Sequence, residues 1–471
     1  MGPAMTLLQP DPIPELSKIH HAHFIAIGGA GMSGVASAYL TLGITVSGCD
    51  QIESEATQIL RRQGAIICIG HHPDHLESAD VVVVSTAIQA DNPELVEAHR
   101  RSLPVWHRSL ALAALMPGNQ VVAISGTHGK TTTTAMCVAG LHQAGLDPSY
   151  VIGGTMMATG LGSHLGSGRQ FIVEADESDG SFLQYPTSIA VITTIEADHL
   201  DRWGTAQAYA DGFRQFATNE GVTTVILNAD DPGATQLGDE LDCKTQRILR
   251  FGQSKKADIR ITDLKTGPTG GRATMQIGRW NGHLRLGIPG IHNLYNAAAA
   301  CCLGEVIGAE RDVWLAGLFG FTGTHRRFET VGSAGGVTVI DDYAHHPTEV
   351  EASIATARAV ATSGRLIVCF QPHLFTRTRD LAAQFGQVLA SADEVVVLDV
   401  YPAREAPIPG VSGQMIAQAV DKAGGRIHYV PDMEDAVAAL VQLSQPGDVI
   451  MTIGAGSVTK LAVVLLASLE R

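Results

Sequence analysis

Short apolar runs alternate with longer stretches of helical period along almost the whole chain. The runs are rich in Val and Ile, and many end at a glycine or an acid. Strands buried on both faces of a parallel sheet read this way, so the alternation predicts stacked α/β layers. A first block opens with HFIAIGG, passes through a Gly-rich turn and a helix near residues 33–42, and continues with strands GITVSGCD, AIICIG and DVVVVST. Pro104 and the segment to Pro117 and Gly118 suit a connection to the next block. A second block opens with VVAISGTHGKTTTT and predicts strands FIVEA, SIAVITTI and TTVILNAD. After Gly252 the pattern changes. DIRITDL, TMQIGR and HLRLGI predict short antiparallel strands with Gly turns, and HNLYNAAAACCLGEVIG predicts a buried helix. A Gly-rich hinge, GFTGTHRRFE, leads to a third block with strands GVTVIDDYA, RLIVCF, EVVVLDV, RIHYV and DVIMTI.

Composition narrows the class. The 471 residues suffice for about three domains of ~150 each. Apolar residues make up 45% and charged residues 17%, a globular balance. A net charge of −15 argues against a nucleic-acid partner. Seven scattered cysteines without a C-x-x-C pair point to reduced thiols. The N-terminal MGPAMTLLQPDPIPELSK is broken by Pro and acids and lacks a signal-peptide core, and no apolar run approaches the ~18 residues of a membrane span. A cytoplasmic protein with no membrane partner is expected.

The chemistry starts at Gly126–Thr131, a G-x-x-G-K-T between a strand and a helix. Ile124 stands where the full P-loop pattern has its first Gly. Gly126, Thr127, His128 and Gly129 form a turn that can cradle phosphates. Lys130 supplies positive charge, Thr131 a hydroxyl for Mg²⁺, and Thr132 and the helix N-terminus complete an ATP-type site. The first block carries a second nucleotide signal: Gly29, Gly31 and Gly34, with Ala30, Met32 and Ser33 between them, and Asp50 about 20 residues further on. This reports a pyrophosphate beside a ribose, and NAD, FAD and a UDP-sugar all satisfy it.

Acids follow two strands of the second block: Glu174, Asp176, Glu177 and Asp179, then Glu196, Asp198, His199 and Asp201. Mg²⁺ prefers carboxylates, so on chemistry alone Glu174 ranks above His199. Asn293 and Asn296 begin a helix and suit an adenine edge, a phosphate or a cap. Arg326 and Arg327 in the hinge suit a γ-phosphate on closure or a salt bridge. Asp341, Asp342, Tyr343, His345 and His346 form one rim of the third block, and His373, Arg377 and Arg379 another. Such rims bind a small charged substrate such as an amino acid.

Taken in order, IGGAGMSG, DNPE, SGTHGKTTTT, EADESDGSF, EADHLD, HN..N, HRRFE, DDYAHHPTE and QPH..TRTRD resemble the Mur ligase family over nearly the whole chain. The resemblance implies three domains: a UDP-sugar-binding Rossmann-like domain (1–112), a central P-loop ATPase-type domain with a parallel sheet and a small antiparallel sheet (113–324), and a Rossmann-like C-terminal domain (325–471). It implies an ATP- and Mg²⁺-dependent amide ligase of peptidoglycan precursor synthesis, joining L-alanine to UDP-N-acetylmuramate through an acyl phosphate, as a monomer or weak homodimer.

By residue, the resemblance puts Gly126 to Thr132 on the ATP phosphates. Thr131 and Glu174 fall on one Mg²⁺, His199 on a second, and Asn293 and Asn296 on the adenine side. Arg327 comes from the closing hinge, and His345, His346, His373 and Arg377 lie near the incoming amino acid. Gly29–Gly34, Asp50, His71, Ser85 and Thr86 line the UDP-sugar site. Lys130, Glu174, His199, Arg327, His345 and His346 form the catalytic set, with His345 or His346 the base for the amine. One departure is Leu374, where many members carry an Arg; Arg377, alone or with Arg379, is then expected to hold the amino acid carboxylate. Three rivals stay open: a nicotinamide oxidoreductase, an ATP-driven binding switch, and a recycling ligase that adds a whole peptide to the same sugar.

Overall fold

The computed structural model describes residues 7–361, 364–403 and 405–470, without the side chains of Ala30 and Asp201. The first block forms five strands, β1 (His21–Ile25), β2 (Thr45–Asp50), β3 (Ile66–Ile69), β4 (Val81–Val84) and β5 (Val105–His107). They pair in parallel in the order 3-2-1-4-5, the order of the first five strands of a doubly wound dinucleotide fold. The segment that connects to the next block carries β5 and the helix Arg108–Ala113. Three strand residues beside Pro104 are too few for a period to show.

The second sheet contains β6 (Gln120–Ser125), β7 (Ser149–Val151), β8 (Ser163–His164), β9 (Gln170–Glu174), β10 (Ile189–Ile192), β11 (Thr224–Asn228), β12 (Arg247–Gly252), β13 (Ile259–Gly267), β14 (Gly270–Ile277) and β15 (Trp280–Leu286). Its order is 15-14-13-12-11-10-6-9-7-8. The strands around β6 pair in parallel. Two-residue links join β13, β14 and β15, which only antiparallel neighbours allow. The small antiparallel group continues the central sheet through the parallel pairing of β12 with β13.

The third sheet comprises β16 (Glu329–Ala334), β17 (Val337–Asp342), β18 (Leu366–Phe370), β19 (Glu394–Val397), β20 (Ile427–Tyr429) and β21 (Val449–Ile453), in the order 16-17-21-18-19-20. Only β16, which was hidden at the end of the predicted hinge, runs antiparallel to its neighbour.

The chain forms two compact units. The first comprises Met1–Thr262, Thr274–His283 and Tyr295–Phe321; the second comprises Asp263–Ala273, Leu284–Leu294 and Thr322–Arg471. In the first, Phe182 stacks on Phe216 at 5.0 Å between centroids and meets Phe213 edge-on. All three rings are fully buried, each contributing about 1.5–3 kcal/mol over an exposed position. In the second, Val368, Phe370, Phe385 and Met451 close the core beneath β18 and β21. All seven cysteines are unpaired. Among the described residues, no helix is long and apolar enough to cross a membrane.

Candidate functional site

In the first unit, β6 runs into the turn Gly126–Gly129, and the helix Lys130–Gln143 leaves it. Gly126 has φ +133° and Gly129 φ +84°, conformations costly for most side chains. Space demands glycine too. A Cβ on Gly126 would lie 2.1 Å from Thr193 Oγ1 and 2.9 Å from Thr194 N, and one on Gly129 would lie 2.5 Å from Asn296 Oδ1. The turn is thus wedged between the end of β10 and the helix Ile291–Ile307, which carries Asn296. Its own side chains brace it: Thr127 Oγ1 donates to Glu196 O at 2.9 Å, and His128 Nε2 lies 2.9 Å from Glu196 Oε2. Thr132 is buried on the first helical turn.

Lys130 folds back over this turn. Its Nζ donates to Gly126 O at 2.6 Å, to Thr127 O at 3.2 Å and to Glu177 Oε1 at 2.9 Å. Burial works against the Lys130 ammonium, but the charges of Glu177 and Asp176 outweigh it and hold the group above its usual range. Burial pushes the Glu177 carboxyl up to about 7, with Lys130 pulling the other way. His199, at φ +53° before the short helix Leu200–Trp203, brings Nε2 to 3.9 Å from Glu177 Oε1. Glu177 therefore links Lys130 to His199, and its other oxygen is buried without a hydrogen-bond partner.

One helical position on, Thr131 Oγ1 donates to Glu174 Oε1 at 3.0 Å, and Gly153 N donates to Glu174 Oε2 at 2.7 Å. A Cβ on Gly153 would crowd that carboxylate at 2.7 Å. Sequence reasoning gave neither Glu177 nor Gly153 a role. Glu177 was visible as one acid among four, and Gly153 only as half of a Gly pair after β7.

The Gly29–Gly34 segment lies at the C-terminal edge of the first sheet, where open α/β sheets bind ligands; its helix begins at Ala30 rather than near 33, so Gly31 and Gly34 are on the first helical turns. Asp50 ends β2, His71 follows β3, and Ser85 and Thr86 follow β4, all on that edge. Gly29 is the N-cap of the helix Ala30–Thr41, which includes Met32 and Ser33. The side chain of Ala30 lies outside the described residues. Asp50 Oδ2 accepts from Gly28 N at 2.9 Å, so its carboxylate braces the turn. A Cβ on Gly34 would meet Ser163 Cβ at 3.3 Å, and one on Gly31 would overlap Arg108 Nη1 at 2.0 Å. Arg108 Nη2 reaches Asp176 Oδ2 at 3.2 Å. Burial favours a neutral Asp176, but Arg108 and Lys130 outweigh it and keep its carboxyl well below the usual range. One guanidinium therefore joins the first Gly-rich turn to the acidic loop beside Lys130. Arg108 was missed because nothing near it in the sequence marks it.

The second unit gathers its own rim. Arg326 and Arg327 each place a guanidinium 4.8 Å from the Tyr343 ring centroid. Tyr343 meets His345 edge-on at 5.3 Å, and His345 meets His373 at 5.9 Å. Arg377 Nη1 lies 3.4 Å from His373 Nδ1. Arg326 Nη2 donates to Gly454 O and Gly456 O, so this arginine fills the Gly turn after β21. His346 is the N-cap residue of the helix Pro347–Val360. Burial raises the Asp342 carboxyl to about 6, against the N–H of Ala344 and the charge of Arg327. Leu374 sits at φ +68° with its side chain buried. Arg379 is exposed and engaged by Asp380 at 2.7 Å. Asn293 Nδ2 donates to Pro289 O at 2.6 Å, a local contact at the helix start.

Three family models match in chain order: "Mur ligase family, catalytic domain" over 21–120, "Mur ligase middle domain" over 124–304, and "Mur ligase, glutamate ligase domain" over 326–456. The UDP-N-acetylmuramate–L-alanine ligase of Cutibacterium acnes is 53% identical over 468 residues, covering 99% of each chain. That of Kineococcus radiotolerans is 46% identical over 451 residues, 95% of this chain and 96% of its own. The solved UDP-N-acetylmuramate-alanine ligase of Thermotoga maritima superposes with a TM-score of 0.81 at 29% identity, covering 95% of this chain and 98% of its own. The chain belongs to the Mur ligase family.

Proposed function

We infer that the protein is an ATP-dependent ligase that joins L-alanine to UDP-N-acetylmuramate through an acyl phosphate, giving UDP-N-acetylmuramoyl-L-alanine, ADP and phosphate. The observation that carries this reading is the pairing, in one unit, of two Gly-rich turns with different equipment. One has Lys130 with Thr131 and Glu174. The other has no lysine of its own and is met by Arg108. A carboxylate is a poor electrophile, so ligation needs one nucleotide broken for activation and a second kept intact as a handle. An oxidoreductase would leave Lys130 and Glu174 without a task.

The residues fit an ATP·Mg²⁺ occupant. Glycine is obligatory at Gly126 and Gly129, and Thr131 and Glu174 offer the hard oxygen donors that Mg²⁺ prefers. Thr131 and Glu174 would hold one Mg²⁺ and His199 a second; when bound, the ions offset phosphate charge. In this reading Lys130 exchanges Glu177 for phosphate oxygens, an electrostatic role. Asn293 and Asn296 serve the adenine side, and Arg327 the phosphate chain. Arg377 takes the amino acid carboxylate, since Arg379 is already engaged by Asp380. His345 or His346 takes the proton from the ammonium. Gly29–Gly34, His71, Ser85 and Thr86 line the sugar-nucleotide site, and Arg108 joins them. A cytoplasmic monomer or weak homodimer accords with this reading.

The test mixes UDP-N-acetylmuramate, ATP and Mg²⁺ with each of the twenty amino acids and weighs the products. The L-alanyl product should dominate. Preference for glycine or serine would overturn the L-alanine assignment, and a product only with a peptide would mean the recycling activity.

A further inference from the structure

A second cluster of donors lies in the first sheet, away from Lys130. Glu94 is fully buried on the first turn of the helix Pro93–Arg100. Cys49 Sγ donates to its Oε2 at 2.5 Å, and His71 Nδ1 lies 3.3 Å from the same oxygen. His75 Nδ1 lies 2.6 Å from Oε1. Cys49 is fully buried near the end of β2, and His23 is 1% exposed in the middle of β1. His23 pairs with Ser47 in register, and Ser47 and Cys49 share a face of β2 by the two-residue period. His23 Nδ1 bonds Ser47 Oγ at 2.8 Å, which fixes the ring. Its Nε2 is buried without a hydrogen-bond partner and stands 3.7 Å from Glu94 Oε2.

An imidazole nitrogen buried 3.7 Å from a carboxylate, beyond hydrogen-bond reach, is costly in a core. It is also what a metal ligand looks like before the metal arrives. Single donor atoms of His23, Cys49 and Glu94 all lie within 4.8 Å of one another. His71 Nδ1, 3.0 Å from Cys49 Sγ, lies outside this set and stays with the sugar-nucleotide rim. Tetrahedral Zn²⁺ with bonds of ~2.0–2.3 Å places its ligands about 3.3–3.7 Å apart. The His23–Glu94 separation of 3.7 Å already matches, and the Cys49–Glu94 contact of 2.5 Å needs to open by roughly 1 Å.

We propose that His23, Cys49 and Glu94 form a three-donor site for one thiophilic divalent transition-metal ion of the Zn²⁺ class, with the fourth position open to water. Thiol and imidazole donors select such an ion over the Mg²⁺ suited to Thr131 and Glu174. Binding replaces the Cys49 S–H bond to hydrogen by a sulfur–metal bond and releases that proton to solvent. The His23 imidazole binds as a neutral base through its Nε2 lone pair, and Glu94 binds as the carboxylate. Ser47 then acts as the outer partner that orients His23, as metal-bound histidines require. The alternative is a purely hydrogen-bonded network around a buried glutamate.

Cobalt distinguishes the two. The untagged, reduced, chelator-stripped full chain is titrated anaerobically with Co²⁺ and then with Zn²⁺. The site predicts one equivalent bound, visible bands of tetrahedral Co²⁺, a sulfur-to-cobalt charge-transfer band, and displacement by one equivalent of Zn²⁺. Cys49→Ser should abolish the charge-transfer band, and His23→Gln should weaken binding about tenfold or more. Absence of stoichiometric binding, or a charge-transfer band retained in Cys49→Ser, overturns the proposal. If Cys49→Ser fails to fold, undiminished affinity in His23→Gln overturns it equally.

Discussion

The turns at Gly29–Gly34 and Gly126–Gly129 follow one grammar, strand then glycines then helix, yet they are built for different anions. At the second, the cation belongs to the turn itself, because Lys130 is the first residue of the departing helix. Its two carboxylate neighbours divide the work: Glu177 holds the ammonium, and Glu174 holds the Thr131 hydroxyl. At the first, no cation is local. The guanidinium against Gly31 arrives from the helix after β5 and is tied to Asp176. A turn with its own lysine and metal donors suits a phosphate to be transferred. A turn that borrows one arginine suits a diphosphate to be held.

The sharpest way to break this contrast is Lys130→Ala. If the lysine serves the transferred phosphate, kcat/KM for ATP-dependent ligation should fall by roughly 10³-fold or more, while affinity for the UDP-sugar, read by calorimetry, stays near that of the native protein. Near-normal turnover would contradict the assignment. Next in size is Gly126→Ala. Positive φ and backbone nitrogens of Thr193 and Thr194 within 3.0 Å leave the new methyl no room, so about 1–3 kcal/mol of stability should be lost in denaturant melts, with activity down ~10²-fold.

Gly31→Ala is the matching probe at the first turn, and it should behave differently. The obstacle there is the movable end of Arg108, so the substitution should chiefly raise KM for UDP-N-acetylmuramate, by ~5-fold. In an Arg108→Ala background, itself impaired, it should add almost nothing. A coupling of about 1 kcal/mol in that double-mutant cycle supports the borrowed-cation reading, and strict additivity sinks it.

The smallest effect concerns His107, the residue before Arg108. Burial, with Asp179 acting the other way, pushes the neighbouring His107 imidazole down from 6.5 to about 4. The native state thus keeps it neutral while the unfolded chain protonates it. Its contribution to stability is full above pH 6.5 and is lost as pH falls toward about 4. His107→Asn, whose side-chain oxygen can take over from the Nδ1 that caps the helix by accepting from Ser109 N, should reduce the loss of melting temperature between pH 7 and 5 by a few degrees, at ~2–4 °C per kcal/mol. An unchanged pH slope would remove His107 from the acid response.

The same contrast explains what could be read from the sequence. Lys130 and Thr131 were legible because their partners in the turn are contiguous, and the strand-to-helix switch confirms the motif locally. Arg108 was not, because its partners Gly31 and Asp176 come from distant segments. Asp50 was legible as a residue, but its bond to Gly28 N shows the carboxylate bracing the turn, which spacing alone cannot distinguish from ribose binding. Most strands announced themselves by apolar runs, whereas β5, β7 and β8 span too few residues for a period. The strands β13–β15 were legible through their Gly turns, but their union with the central sheet rests on tertiary pairing of Phe251 and Gly252 with Ile259 and Arg260.

Phosphoryl transfer to the sugar's carboxylate at the Lys130 turn is the central event, and oxygen isotopes follow it directly. UDP-N-acetylmuramate labelled with ¹⁸O in its lactyl carboxylate is turned over with ATP and L-alanine, and the released phosphate is weighed. One labelled oxygen per phosphate is the predicted result. Phosphate carrying no label, with amide formed all the same, would contradict the acyl phosphate and the division of labour between the two turns.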